Sequence, residues 1–185
     1  MDDIVKAALK KWPNVPACHD WLALDARGDW YMRDDRIQAM GPFPQVKGSR
    51  ILHDKLKDFI QRNYEADAQG AWFFQNGPQR VYVCLEAAPW VIGVQMDDTA
   101  FGGFRLETHT GLPIADVKGC FLDEHGRVFL SFERGLGVVR SMDMLATAEA
   151  IEALGWTPQD VSFDSLPLAH GFVLRPQAPA VEAHS

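Results

Sequence analysis

The sequence predicts an α+β protein of antiparallel, roll-like meander sheets with about three helices. Short aromatic-rich strand segments follow one another with few crossover helices, which favours antiparallel pairing over a doubly wound parallel sheet. A hairpin signature, Asp then Gly three residues on and a bulky apolar run after one spacer, occurs at Asp25/Gly28, Asp67/Gly70 and Asp123/Gly126. In it the Asp side chain bonds the backbone of a type I turn and the Gly supplies the positive φ of a bulged hairpin. The starts of the three turns are unequally spaced, which argues against a solenoid or propeller array.

Element by element, Asp3 to Trp12 sets Ile4, Val5, Ala8, Leu9 and Trp12 at helical spacing, with acid at its start and Lys10 and Lys11 at its end, until Pro13 stops it. The prolines of Trp12-Pro-Asn-Val-Pro-Ala-Cys18 then fix an extended connection. Trp21 to Leu24 and Trp30 to Arg33 read as a hairpin around the first Asp-x-x-Gly turn. A second helix is predicted over Ser49 to Tyr64, with Leu52, Leu56, Phe59, Ile60 and Asn63 on one side. Trp72 to Gln75, Arg80 to Glu86 and Trp90 to Met96 form an antiparallel meander, and further strands fall at Phe104 to Thr108, Ile114 to Lys118, Cys120 to Leu122, Val128 to Glu133 and Gly137 to Arg140. A third helix runs from Met142 to Leu154, capped by Ser141 and ended by Gly155. The break at Asp97 to Gly103 suggests two subdomains, a roll-like unit over 1–97 and a β-rich unit with one helix over 98–175, before a mobile tail over 176–185; one compact domain over 1–175 is the alternative.

Composition narrows the function classes. Of 185 residues 47% are hydrophobic and 23% charged, enough apolar side chain for a real core. A formal net charge of −7 argues against nucleic-acid binding, whose affinity comes from Lys and Arg on phosphates. Three cysteines are too few and odd for a disulfide framework, and an acidic N-terminus without an apolar run predicts a cytoplasmic protein. Its longest strongly apolar stretch, Ala87 to Val94, is far short of a membrane span.

Phosphate loops, dinucleotide fingerprints, nucleophile elbows and zinc-protease motifs are all missing, so no cofactor is predicted. The trio Cys18-His19-Asp20 suggests a thiolate nucleophile, yet neighbours on an extended chain point to opposite sides, and a buried thiol with a surface His19 is the plainer expectation. No spacing supports a metal site with His53, His109 or His125, nor a calcium loop at the Asp turns. Alternation places Glu86 with Arg80, Tyr82 and Cys84, and puts Arg105, Glu107 and His109 together on another strand. Glu86, Arg105, Glu107 and His109 are therefore the candidate site: Arg105 would hold an anion while Glu107 or His109 moved a proton. A solvated sheet face with weak ion pairs is the ordinary alternative.

Specific strings carry a resemblance. Trp12-Pro-Asn-Val-Pro-Ala-Cys-His-Asp-Trp-Leu-Ala-Leu-Asp-Ala-Arg-Gly28, Trp72-Phe-Phe-Gln-Asn-Gly-Pro-Gln-Arg-Val-Tyr-Val83, Leu85-Glu-Ala-Ala-Pro-Trp-Val91 and Glu107-Thr-His-Thr-Gly111 resemble an uncharacterised proteobacterial family, a domain of unknown function, over residues 1 to 155. The order hairpin, helix, strand and Glu-x-Ala-Pro-Trp-Val is more loosely similar to a second uncharacterised bacterial family of two small β-rich α+β units. Neither resemblance implies a substrate or a site residue.

The expectation is a small cytosolic binding or regulatory protein without catalysis, with a small molecule or protein as partner and a homodimer as a natural state. An enzyme on a small anionic metabolite through Arg105, Glu107 and His109 is the rival. A subunit docking through an exposed aromatic patch is a third reading.

Overall fold

A computed structural model of the chain describes residues 1–178. It is α+β, with two six-stranded sheets and five α-helices among those residues. The described residues divide into two compact units: Met1–Leu24, Trp30–Cys84 and residues 173–178 in the first, Asp25–Asp29 and Leu85–Phe172 in the second.

In the first unit, α1 (Asp3–Lys11) obeys its charge pattern and buries Val5. Its start is tied down by Asn63, whose Oδ1 accepts from Asp2 N at 2.7 Å, and by the Arg62–Asp2 ion pair at 3.2 Å. β1 (Cys18–Leu24) and β2 (Trp30–Met32) form the anticipated hairpin. Asp34 then caps α2 (Asp35–Met40), a helix too short for the periodicity to announce, by accepting from Ile37 N at 3.0 Å.

The second anticipated helix starts later than its pattern suggests. Ser49 and Arg50 form β3 (Ser49–Arg50) against β2, and α3 (Asp54–Arg62) begins only after His53, whose Nδ1 accepts from Leu56 N at 3.3 Å. Pairing at Tyr31↔Arg50 and Met32↔Ser49 is worth more to these residues than one further helical turn on exposed backbone. β4 (Tyr64–Ala66), β5 (Trp72–Asn76) and β6 (Gln79–Leu85) complete a sheet of order β3-β2-β1-β6-β5-β4. Phe59 packs edge-on to Phe74 and Tyr64 contacts Trp30 and Trp72, so α3 covers the face bearing these rings.

In the second unit, β7 (Trp90–Met96) does not continue the meander of β5 and β6 but opens a new sheet. With β8 (Phe104–Thr108), β9 (Gly119–Asp123), β10 (Val128–Phe132), β11 (Gly135–Val139) and β12 (Pro158–Val161) it has the order β12-β9-β10-β11-β7-β8. This sheet is mixed, which corrects the antiparallel expectation. The hairpin run from β9 to β11 ends beside β7 with the same direction, and β12 returns parallel to β9 after the crossover through α4 (Met144–Ala153). The helix count is corrected from three to five as well, by α2 and by α5 (Leu166–His170).

Two boundaries differ locally. Ser141–Asp143 is a 3-10 turn leading into α4, so Ser141 is not the cap. The Ile114 to Lys118 segment is not a strand: Pro113 makes a single bridge to Glu107, and Ile114 N donates to Leu106 O at 2.9 Å along the open edge of β8. Of the tail expected at 176–185, residues 179–185 lie outside the described residues.

All three Asp-x-x-Gly segments fold as the same turn. In each, the Asp Oδ1 accepts from the amides two and four residues on, the Gly amide donates to the Asp carbonyl, and the Gly φ is +90°, +81° and +74° at Gly28, Gly70 and Gly126. Thr108 builds a fourth version, its Oγ1 accepting from Leu112 N at 3.1 Å and its carbonyl from Gly111 N at 2.9 Å.

Candidate functional site

The candidate residues of the second unit divide between three places. Arg105 and Glu107 share one face of β8, opposite Gln95 and Gly93 of β7, and the Arg105 guanidinium donates to Gln95 Oε1 at 2.8 Å. Glu86 lies past the end of β6, where its Oε2 accepts from Ala26 N at 2.8 Å in the first Asp-x-x-Gly turn. His109 lies past the end of β8, inside the Thr108 turn. Its Nδ1 accepts from Val91 N at 3.1 Å and its own amide donates to Val91 O at 2.7 Å. Burial pushes this imidazole down to about 3, so at neutral pH it is an uncharged acceptor for a backbone amide. A group that takes no proton near pH 7 is poorly matched to acid–base work there.

The thiols are likewise unsuited to nucleophilic chemistry. Cys18, Cys84 and Cys120 are free. Cys84 is pushed up to about 12 by burial and by the charge of Asp20, whose Oδ1 accepts its S–H at 3.5 Å. Burial, with a further push from Asp20, raises Cys18 too. His19 stacks on Tyr82 with ring centroids 4.7 Å apart. Cys18 thus lies on the wall of an apolar cavity, His19 on Tyr82 and Asp20 beside Cys84, so the trio forms no thiol–imidazole pair.

What the first unit does hold is an apolar cavity of about 270 Å³. β1 supplies Cys18, Trp21 and Leu22; β2 supplies Met32; Leu56 and Ile60 come from α3; and Phe74 and Val81 come from β5 and β6, with Ile51 between β3 and α3. Asn76 and Gln79 are the only amide side chains on its wall, and Gln79 is held by Pro16 O at 3.1 Å. No Asp, Glu, Lys, Arg or His lines it. The rim residues Trp21, Met32 and Leu56 remain partly open to solvent.

One backbone feature shapes this wall. Among the described residues Asp20 is the non-glycine residue with a left-handed backbone, φ +65°. In a regular strand Asp20 and Leu22 would share a face; here Asp20 turns toward Cys84 while Trp21 and Leu22 both line the cavity. The strained residue therefore delivers an indole that strand alternation alone would place on the other side.

Nothing in the sequence motifs announced this cavity, because its wall is ordinary core chemistry drawn from five elements and the link before α3. Among the described residues no three His, Cys, Asp or Glu side chains are grouped to hold a metal ion, and no helix is long and apolar enough to cross a membrane.

The fold and its cavity describe an α+β protein of two mixed sheets with an uncharged pocket. The chain belongs to a family of proteins of unknown function, DUF2946, whose model matches residues 1–177. Two solved structures are similar to it. A DUF1285 family protein from Silicibacter pomeroyi DSS-3 is 12% identical with a TM-score of 0.49, over 80% of this chain and 84% of that one. A DUF1285 family protein from Shewanella baltica OS155 is 18% identical with a TM-score of 0.45, over 70% of this chain and 91% of that one. No curated protein matches the sequence.

Proposed function

We propose that the protein is a non-catalytic binding protein whose first unit takes up a small, uncharged, largely apolar molecule. The observation that carries this is the 270 Å³ cavity with no ionisable group on its wall except a thiol held neutral. A charged ligand placed there would lose its hydration without a counter-charge, whereas an aliphatic or aromatic one gains by leaving water. An engineered apolar cavity of about 150 Å³ takes benzene, so this one suits a group nearly twice that size, a chain of about eight to ten carbons. The Asn76 amide offers a neutral hydrogen-bonding position for a hydroxyl or carbonyl head.

Titration with straight-chain primary alcohols, followed by tryptophan fluorescence from Trp21 and by calorimetry, tests this. Affinity rises by about 0.8 kcal/mol per added CH2 and levels off near ten carbons, where the cavity is filled. Val81→Phe, which narrows the cavity from the sheet side, weakens decanol at least tenfold while the circular dichroism spectrum stays unchanged. Affinity that ignores chain length, or a Val81→Phe protein that binds as well as the native one, overturns the proposal.

A further inference from the structure

The geometry points to a second binding site in the first unit, a cleft for a guanidinium cation at the Asp67 turn, on the sheet face opposite the apolar cavity. The faces are opposite because Val81 lines the apolar cavity while its strand neighbour Tyr82 lines this cleft. The cleft encloses about 430 Å³ between His19, Asp67, Ala71, Tyr82, Val173 and Gln177. Val173 is docked there by its amide, which donates to Gly70 O at 3.1 Å.

The same molecule shows what this turn holds when it is complete. At the Asp123 turn, Oδ1 accepts the two backbone amides, His125 N at 3.0 Å and Arg127 N at 2.8 Å, and Oδ2 accepts Arg127 Nε at 2.7 Å. The Arg127 guanidinium carbon lies 4.2 Å from the Phe163 ring centroid and 5.5 Å from that of Phe129. A planar cation is thus held between a carboxylate and aromatic faces, combining a charge-assisted hydrogen bond with cation–π attraction.

The Asp67 turn repeats this arrangement without the cation. Its Oδ1 accepts Gln69 N at 2.9 Å and Ala71 N at 3.0 Å, and its Oδ2 accepts the Tyr82 hydroxyl at 3.0 Å. A carboxylate oxygen can accept two hydrogen bonds, so Oδ2 retains capacity for a second donor. Tyr82, with His19 stacked on it at 4.7 Å and an interplanar angle of 17°, supplies the aromatic wall. The residue four on from the aspartate, the position of Arg127, is Ala71, and its methyl group lines the cleft. Among the described residues Asp67 has no basic partner. A negative charge beside an aromatic wall, with the place of the cation vacated by a small side chain, fits a guanidinium brought by a ligand. The cleft rests on different residues from the apolar cavity, and Val81→Phe leaves it intact.

Methylguanidinium chloride is the probe, with methylurea as its neutral isostere, and backbone amide shifts of Gln69, Gly70 and Ala71 as the readout. The native protein shows saturable shifts at those amides in the millimolar range with methylguanidinium and none with methylurea. Asp67→Asn keeps an acceptor for both turn amides but loses the charge, and weakens binding at least tenfold. Ala71→Arg places an internal guanidinium where Arg127 sits in its own turn; binding disappears and the melting temperature rises. No saturation in the native protein, equal binding of methylurea, or undiminished binding by the well-folded Asp67→Asn protein overturns the site.

Discussion

The buried imidazole of His109 makes a stability prediction that the structure quantifies. In the unfolded chain His109 takes up a proton near its ordinary value of 6.5; in the folded protein burial holds this back to about 3. Between those values the unfolded state binds the extra proton, so acid favours unfolding and stability rises with pH through the window. At pH 5 the unfolded group lies about 1.5 units above the ambient pH, and at about 1.36 kcal/mol per unit the folded state has lost about 2 kcal/mol relative to pH 7. For a chain of this length that corresponds to a fall in melting temperature of about 4–8 °C. The control is His109→Asn, whose Oδ1 stands where Nδ1 accepts from Val91 N and does not titrate. It costs some packing against Trp90, whose ring centroid is 5.9 Å away, but it makes the pH 5–7 segment less steep. His170 is depressed by burial in the same sense and is shared by both proteins, so their difference isolates His109. The lowered carboxyls Asp2, Asp54, Asp97 and Glu124 start below 3.8 and 4.5 and lose their stabilisation only in stronger acid. Differential scanning fluorimetry at pH 5, 6 and 7 reads the effect. Parallel curves for the native and His109→Asn proteins would show that the imidazole titrates normally and is not the buried acceptor described.

Two further substitutions separate the roles of local geometry. Asp123→Ala removes the acceptor of two amides and strands Arg127, costing about 3 kcal/mol in urea unfolding, whereas Asp67→Ala, in a more open turn with no cation to strand, costs about 1 kcal/mol; equal losses would refute the special status of the Asp123 pair. Asp20→Gly keeps the left-handed backbone and leaves both alcohol binding and stability within about 1 kcal/mol of native, whereas Asp20→Val is strained there, costs about 2 kcal/mol and shifts Trp21 emission, and native-like binding by Asp20→Val would sever the link between Asp20 and the cavity wall.

The parts of the fold legible in the sequence are those governed by short-range chemistry. The three Asp-x-x-Gly turns are encoded within five residues, α1 by charge and periodicity, and the end of α4 by the Gly155 stop, whose φ is +68°. The elements that escaped depend on distant partners. β12 reads Pro158-Gln-Asp-Val and is exposed along most of its length, so only its pairing with Cys120 to Asp123 makes it a strand. β3 is two residues of an apparent helix start captured by β2. Parallel pairing of β7 with β11 joins segments more than forty residues apart, and no residue pattern within either strand declares its neighbour.

The candidate sites show the same division at finer grain. Alternation correctly places Arg105 and Glu107 on one strand face, but it runs one residue too far at each end: β8 stops at Thr108 and β6 at Leu85, so His109 and Glu86 enter turns and bind backbone amides instead. The signal that could have stopped the strand was present in Thr108-His-Thr-Gly111, a threonine version of the aspartate turn read three times elsewhere. At Asp20 the failure is deeper, since no spacing rule anticipates a left-handed aspartate in mid-strand. The conformation follows from what it satisfies, an aspartate oxygen facing the Cys84 thiol and an indole facing the cavity, and both partners lie beyond local sequence reach. A cavity wall shaped by one strained residue among ordinary core side chains therefore leaves no motif, and that is why the cavity is visible only once the strands are paired.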